Sequence, residues 1–253
     1  MSGAVRHWVI CLLLLLVPVT VRAEQLLVAV ATNFVEVARA IVPEFARAKS
    51  HAVSFVPGST GKLYAQISHG APFDVFLAAD QERPELLESE GLAVSGSRFT
   101  YAVGRLSLWS LSKEFGPANA GDFLTSGRFR RIAMANPELA PYGRAAAQVL
   151  ERLGLNEKLQ ARVVLGENVG QAHALIATGN ADLGFVARAQ LRQGNAVRAR
   201  GRWDVPANLH DPIRQDAVRL TRARHQQAAR EFLAFLASAD TQRAIAAFGY
   251  EMR

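Results

Sequence analysis

The 253-residue chain carries one cysteine, Cys11, and it lies inside an N-terminal segment that reads as a removable leader. Once that segment is gone no thiol remains. This excludes a disulfide framework, a cysteine–metal site and a cysteine nucleophile, and it suits an oxidising compartment. Beyond the leader no apolar run reaches the roughly 20 residues needed to span a bilayer. Low-complexity tracts, repeats at a solenoid period and a Ser/Gly-rich or charged linker are also missing. Enzyme signatures are scarce. Pro57-Gly58-Ser59-Thr60-Gly61-Lys62-Leu63 comes near a P-loop, but Val56 stands where the leading glycine is needed and Leu63 where a hydroxyl is needed. His7, His51, His69, His173, His210 and His225 are scattered without metal-ligand spacing. His173, inside a helical stretch, reads as structural. Asp74 and Asp80 flank a strand and read as cap and turn formers before they read as an acid–base pair. No nucleophile–base–orienter set stands out.

The leader itself is plain. Arg6 and His7 form a short positive region, Val9 to Val19 is apolar with five leucines from Leu12 to Leu16, and Val21-Arg22-Ala23 puts small residues at −3 and −1 before Glu24. This predicts a signal peptide over residues 1–23. A membrane anchor would need a longer run. Cleavage leaves 230 residues (253 less 23) and removes Arg6 and Arg22, so the formal charge drops by two from +7 to about +5. The whole chain is 50% hydrophobic and 20% charged, an ordinary globular composition with enough length for one large core or two smaller ones. From Arg188 to Arg230 ten arginines face only Asp204, Asp211 and Asp216, with Trp203 the one aromatic. Without interleaved aromatics this reads as a solvated basic face, not a nucleic-acid surface; docking to a membrane partner is the weaker option.

The mature sequence opens on Leu26 to Ala31, a continuous apolar run that predicts a buried parallel strand. Thr32-Asn33 follow as good cap residues, and Phe34, Val37, Ala38, Ile41 and Phe45 recur at helical spacing. Ala52 to Val56 is strand-like and ends at Pro57-Gly58; Ser59-Thr60-Gly61 opens a helix with Leu63 and Ile67 on one face; Asp74 to Ala79 is a third apolar run. The pattern restarts with Tyr101 to Ser110 and Arg131 to Ala135 as strands. A helix follows Ala140-Pro141-Tyr142-Gly143 and stops at Gly154. Arg162 to Leu165 is a strand, Val169-Gly170-Gln171 opens a helix ending at Gly179, and Asp182 to Ala187 is a strand. Gln226 to Phe248 is helical, broken near Ser238-Ala239-Asp240. Two βα series predict two α/β lobes around a cleft, with Tyr101 to Ser110 and Ile213 to Leu220 as the crossings.

A hydroxyl or small residue recurs at four strand-to-helix junctions: Thr32-Asn33, Ser59-Thr60, Tyr142-Gly143 and Val169-Gly170. Ligands of open α/β sheets bind at that edge. Each helix N-terminus offers free N–H groups and about +0.5 of a charge, so four converging would supply roughly +2, enough for a dianion without a fixed Lys or Arg. Alone, each junction is ordinary N-capping; the joint pattern, two per half, points to an anion.

Six blocks carry a resemblance. Ala31-Thr32-Asn33-Phe34, Gly58-Ser59-Thr60-Gly61, Gly70-Ala71-Pro72-Phe73-Asp74, Ala140-Pro141-Tyr142-Gly143, Asn168-Val169-Gly170-Gln171-Ala172 and Ala181-Asp182-Leu183-Gly184-Phe185-Val186 resemble, in order and at matching spacing, the periplasmic molybdate-binding proteins of ABC importers. The likeness is closest to the subgroup with Thr-Asn at the first junction. It implies a two-lobed type II periplasmic binding protein fold, each lobe a mainly parallel sheet flanked by helices, with residues 24–104 and 214–253 in lobe I and 105–213 in lobe II. It implies a monomer without cofactor that binds molybdate or tungstate dry in the cleft, with no direct metal ligands, and hands it to an inner-membrane ABC permease. It places Thr32 and Asn33 at the first contact, Thr60 with Ser59 before it at the second, Tyr142 at the third, and the Val169 N–H at the fourth. Some relatives supply a tyrosine where this chain has Ala187, and Tyr142 is expected to take that role. Lys62 is expected to point to solvent. The rivals are a binding protein for another tetrahedral anion such as sulfate or for a ferric complex and, more distantly, a secreted hydrolase. A protonated phosphate would want a buried acceptor carboxylate, for which Glu167 is the nearest residue.

Overall fold

A computed structural model describes residues 25–112, 114–191 and 201–252. The leader, Cys11 included, lies outside the described residues, as does part of the arginine-rich stretch.

The first half runs β1 (Gln25–Ala31), α1 (Val35–Lys49), β2 (Ala52–Gly58), α2 (Thr60–Ser68), β3 (Val75–Leu77), α3 (Glu82–Ser89) and β4 (Phe99–Gly104). The second runs β5 (Leu106–Ser110), α4 (Ala120–Ser126), β6 (Ile132–Ala135), α5 (Pro141–Arg152), α6 (Asn156–Leu159), β7 (Val163–Gly166), α7 (Val169–Ala177), β8 (Leu183–Ala187) and β9 (Arg202–Asp204). The chain then returns through β10 (Ile213–Arg219) and ends in α8 (Gln226–Ala237) and α9 (Ala239–Ala247).

Two five-stranded sheets result, ordered β2-β1-β3-β10-β4 and β7-β6-β8-β5-β9. In each, three strands pair in parallel and the fourth runs against both its neighbours. That fourth strand comes from the crossing: β10 returns to the first sheet, and β5 begins the second. The run from Tyr101 to Ser110, expected as one strand, is two. It breaks at Arg105, where the chain leaves β4 in one sheet and enters β5 in the other.

Both faces of each sheet are covered, which is why the central strands read as unbroken apolar runs. Along β1, Leu26, Val28 and Val30 face a cluster with Phe34, Phe45 and Phe232, while Ala29 faces another with Leu63, Phe76 and Leu87. In the second sheet Leu106, Leu108, Ile132 and Met134 share a core with Val149 and Leu150 of α5, and Trp109 lies opposite with Ala172 and Ile176 of α7. The Trp109 indole stacks on the His173 ring at 4.9 Å, which accounts for that histidine as part of the packing. Ser238 breaks the last helical stretch as expected, accepting from the Thr241 N–H at 3.4 Å as cap of α9. The short or weakly patterned pieces α3, α4, α6 and β9 had no clear signal; α3 buries only Pro84 and Leu87. No described helix is long and apolar enough to cross a membrane.

Candidate functional site

β1, β2 and β6 end at Ala31, Gly58 and Ala135, and β7 at Gly166; α1, α2, α5 and α7 start just beyond. The four junctions meet between the sheets around one small cavity. Thr32, Asn33, Ser59, Thr60, Tyr142 and Val169 all line it, with Ala31, Gly58, Ala79, Ala140, Pro141 and Asn168 completing the wall. No charged side chain is among them. An apolar floor of Ala31, Ala79, Ala140 and Val169 belongs to a core cluster that joins the two lobes.

The polar groups are set as donors. Ser59 is 2% exposed, and its Oγ has no hydrogen-bond partner among the described residues. A buried orphan hydroxyl costs about 1–3 kcal/mol unless something completes it. Thr60 Oγ1 accepts from the Ala79 N–H at 3.1 Å, which leaves its own proton to donate. Thr32 Oγ1 accepts from the Gly170 N–H at 3.3 Å, across the cleft. The backbone N–H groups of Asn33, Thr60, Tyr142 and Val169 reach no acceptor among the described residues. Those of Thr60, Tyr142 and Val169 are the unsatisfied donors that a helix start leaves, and that of Asn33 lies one residue before the cap of α1.

Two expectations are corrected. Thr32 and Asn33 do not cap α1: its cap is Phe34, with no side-chain bond, because both polar side chains are engaged elsewhere. Asn33 Nδ2 donates to Gln215 Oε1 at 2.8 Å and to Tyr250 Oη at 3.0 Å, which uses both of its protons. Asn33 thus offers the cavity its backbone N–H. Lys62 is half exposed but does not simply reach into solvent. Its Nζ meets Glu167 Oε2 at 2.9 Å from the opposite lobe. That pairing occupies Glu167, which does not line the cavity. Further bonds span the cleft mouth: the Gly61 N–H to Leu139 C=O at 2.9 Å, Arg83 to Glu138 C=O at 3.2 Å, and Arg144 to Glu82 at 3.0 Å.

Behind the cavity lies a buried polar cluster that sequence reading missed. Tyr101 Oη lies 3.1 Å from Gln215 Oε1 and 3.0 Å from the Ala78 carbonyl, and Tyr250 Oη donates to the Asn33 carbonyl at 2.9 Å. Gln215 Nε2 donates to Tyr142 Oη at 3.4 Å. Burial pushes the Tyr101, Tyr142 and Tyr250 phenols up, so all three keep their protons. Gln215 stands between Arg214 and Asp216 in the crossing strand, so nothing in the sequence marked it as buried. Gly104 also belongs here, since a Cβ on it would lie 2.2 Å from Tyr142 Oη.

Asp74 and Asp80 behave as turn and cap groups. Asp74 accepts the Leu27 and His225 N–H groups at 2.8 and 3.1 Å, and Asp80 holds Arg83. No metal-binding cluster of His, Cys, Asp or Glu occurs among the described residues.

A family profile of bacterial extracellular solute-binding proteins matches residues 26–251. The molybdate-binding protein of Azotobacter vinelandii is 42% identical over 253 residues, covering all of both chains. That of Rhodobacter capsulatus is 41% identical over 232 residues, 90% of this chain and 88% of the relative. The solved Azotobacter vinelandii periplasmic molybdate-binding protein superposes with a TM-score of 0.85 at 43% identity, over 90% of this chain and 99% of that one. On this full-length agreement of sequence, topology and junction geometry, the chain belongs to the bacterial extracellular solute-binding proteins.

Proposed function

We propose that the chain captures molybdate or tungstate in the cavity between its lobes, outside the inner membrane, and delivers it to an ABC importer. The observation that carries this is the donor-only cavity: four backbone N–H groups and the hydroxyls of Ser59, Thr60 and Tyr142 surround it, with no carboxylate and no fixed cation in the wall. Four helix N-termini supply about +2 of partial charge, which matches a dianion. A fully deprotonated oxyanion only accepts hydrogen bonds, so it satisfies every one of these donors. A protonated phosphate would bring a proton that no lining carboxylate receives. Thr32, Asn33, Ser59, Thr60, Tyr142 and Val169 are the contact residues in this reading. Binding and lobe closure are the whole mechanism, without a cofactor or a chemical step. One chain holds the complete site, which suits a monomer, and the leader over residues 1–23 suits the periplasm.

Sulfate carries the same charge, so cavity size must separate it from molybdate. Parallel calorimetric titrations with molybdate, tungstate, sulfate and phosphate test the reading. At a ligand concentration about 1,000 times the dissociation constant, binding adds about 4 kcal/mol of stability, roughly 8–16 °C in melting temperature at this length. Equal shifts with sulfate and molybdate would overturn selection by size.

A further inference from the structure

The geometry points to Gln215 as a positioning residue that couples the hinge to the anion site by fixing the Tyr142 hydroxyl as a donor toward the cavity. The inference rests on the oxyanion reading above. Gln215 does not line the cavity. It sits on β10, two residues into the strand that returns from the second lobe, and is fully buried. Its amide nevertheless touches one lining residue from each lobe: Asn33 through Oε1 at 2.8 Å and Tyr142 through Nε2 at 3.4 Å. Tyr101 approaches Oε1 from a third side at 3.1 Å.

The donor–acceptor inventory gives the amide its role. Oε1 faces Asn33 Nδ2, which can only donate, so the amide stands with Nε2 toward Tyr142. A phenol oxygen that receives an N–H must aim its own O–H elsewhere. The directions left to it are the Tyr250 oxygen and the cavity. That O–H reaches Tyr250 Oη, which also accepts from Asn33 Nδ2 and donates to the Asn33 carbonyl; a dianion in the cavity is the stronger acceptor and would draw the Tyr142 proton to itself. The other crossing presses on the same atom. Gly104 is the last residue of β4 before the chain changes lobes, and a Cβ there would lie 2.2 Å from Tyr142 Oη and 2.7 Å from Gln215 Nε2. Both interlobe crossings therefore meet at the Tyr142 hydroxyl. Opening the lobes would separate Tyr142 from Gln215 and release its orientation, so anion binding and closure draw on the same contact. Of the charges beside it on the strand, Arg214 is exposed and Asp216 is paired with Arg98 and Thr100 at 2.9 and 2.6 Å; Asp216 and Asp80 are the carboxylates that act on Tyr101 in the cluster.

A double-mutant cycle on the full mature chain tests this, with molybdate titrated calorimetrically against the parent, Gln215→Leu, Tyr142→Phe and the double variant. If Gln215 acts through Tyr142, each single change weakens binding about 10-fold or more, and the double is within about 3-fold of the weaker single. Multiplying effects, or a Gln215→Leu protein that binds like the parent, overturn the inference. Gln215→Glu carries the test without loss of shape, and carries it alone if Gln215→Leu does not fold. When ionised, the introduced carboxylate draws the Tyr142 proton toward itself and sets a negative charge under the anion; when protonated, it restores a donor. Burial raises the pKa of that carboxyl group, so Gln215→Glu should bind weakly at pH 8.5 and regain affinity toward pH 6, while the parent stays level. A Gln215→Glu profile parallel to the parent's overturns the inference. A parent that ignores molybdate and tungstate is a separate result, and it removes the oxyanion reading beneath this one.

Discussion

The two lobes share one strand order and place their sites at the same strand ends, yet they contribute in different ways. To its two N–H groups, at Asn33 and Thr60, the first lobe adds the hydroxyls of Thr32, Ser59 and Thr60. The second brings mostly backbone, the N–H groups at Tyr142 and Val169, with one phenol. Backbone can approach only where no side chain intervenes. A Cβ on Gly143, in the second lobe, would lie 2.3 Å from the Ala135 carbonyl of its own sheet. Its counterpart near the start of α2, Gly61, meets no backbone within its lobe: a Cβ there would meet the Arg83 side chain at 3.2 Å and Leu139 O of the opposite lobe at 3.1 Å. The first lobe's hydroxyls can thus be exchanged one side chain at a time, while the second lobe's contacts depend on how closely a helix start sits on its strand.

The largest effects should come from single donors on either side. Tyr142→Phe keeps the ring and removes the O–H, and Thr60→Ala removes the matching hydroxyl in the first lobe. Each should cost about 1.5–3 kcal/mol of binding, or roughly 10- to 150-fold in affinity. Val169→Ala should stay close to the parent because it leaves the N–H in place. Isothermal titration of the three side by side decides it; a Tyr142→Phe protein as tight as the parent would reduce the phenol to packing.

Next in size is the glycine pair. Gly143→Ala forces α5 off β6 and should cost about 1–3 kcal/mol of fold stability, as overpacking does. At this length that is a fall of roughly 2–12 °C in melting temperature. Gly61→Ala should leave the ligand-free melt nearly unchanged and weaken binding instead, since the Arg83 side chain can shift and the backbone obstacle, Leu139 O, is met only on closure. Equal losses of stability in the two variants would contradict the contrast drawn between the lobes.

Smaller still are the pairs at the cleft mouth. Lys62 and Glu167 are 51% and 32% exposed, and Arg144 and Glu82 are about half exposed. Such pairs are worth about 0–1 kcal/mol and weaken with salt. Lys62→Ala should therefore change molybdate affinity by no more than about 5-fold. A Lys62 that dominated Thr60 would mean that a cation, not helix starts, balances the anion.

The smallest expected effect is a flat pH response. The buried phenols of Tyr101, Tyr142 and Tyr250 are raised by desolvation above their ordinary value near 10. A raised folded pKa contributes stability that is fully present below the unfolded pKa and is lost as pH climbs through the folded one. Affinity should hold level from about pH 7 to 9.5, and the fold should weaken only above about pH 10. Loss of affinity near pH 8 would place a different titrating group at the site.

By itself the sequence determined the alternation of buried strands and amphipathic helices, because period and burial are local properties. The runs at β1 and β8, the helical spacing in α1 and the Ser238 break all read directly. It also marked the four junctions, since short polar residues after an apolar run signal a helix start wherever it lies. Only the tertiary structure decided which strand crosses between sheets at Arg105, since a single apolar run has no signal for a change of sheet. It alone turned the Thr32 and Asn33 side chains from caps into cross-lobe and hinge contacts, and set Lys62 against Glu167. Gln215 lies 182 residues from Asn33 and 73 from Tyr142. Contacts at that separation depend on how the lobes close on one another, and no spacing along the chain encodes them.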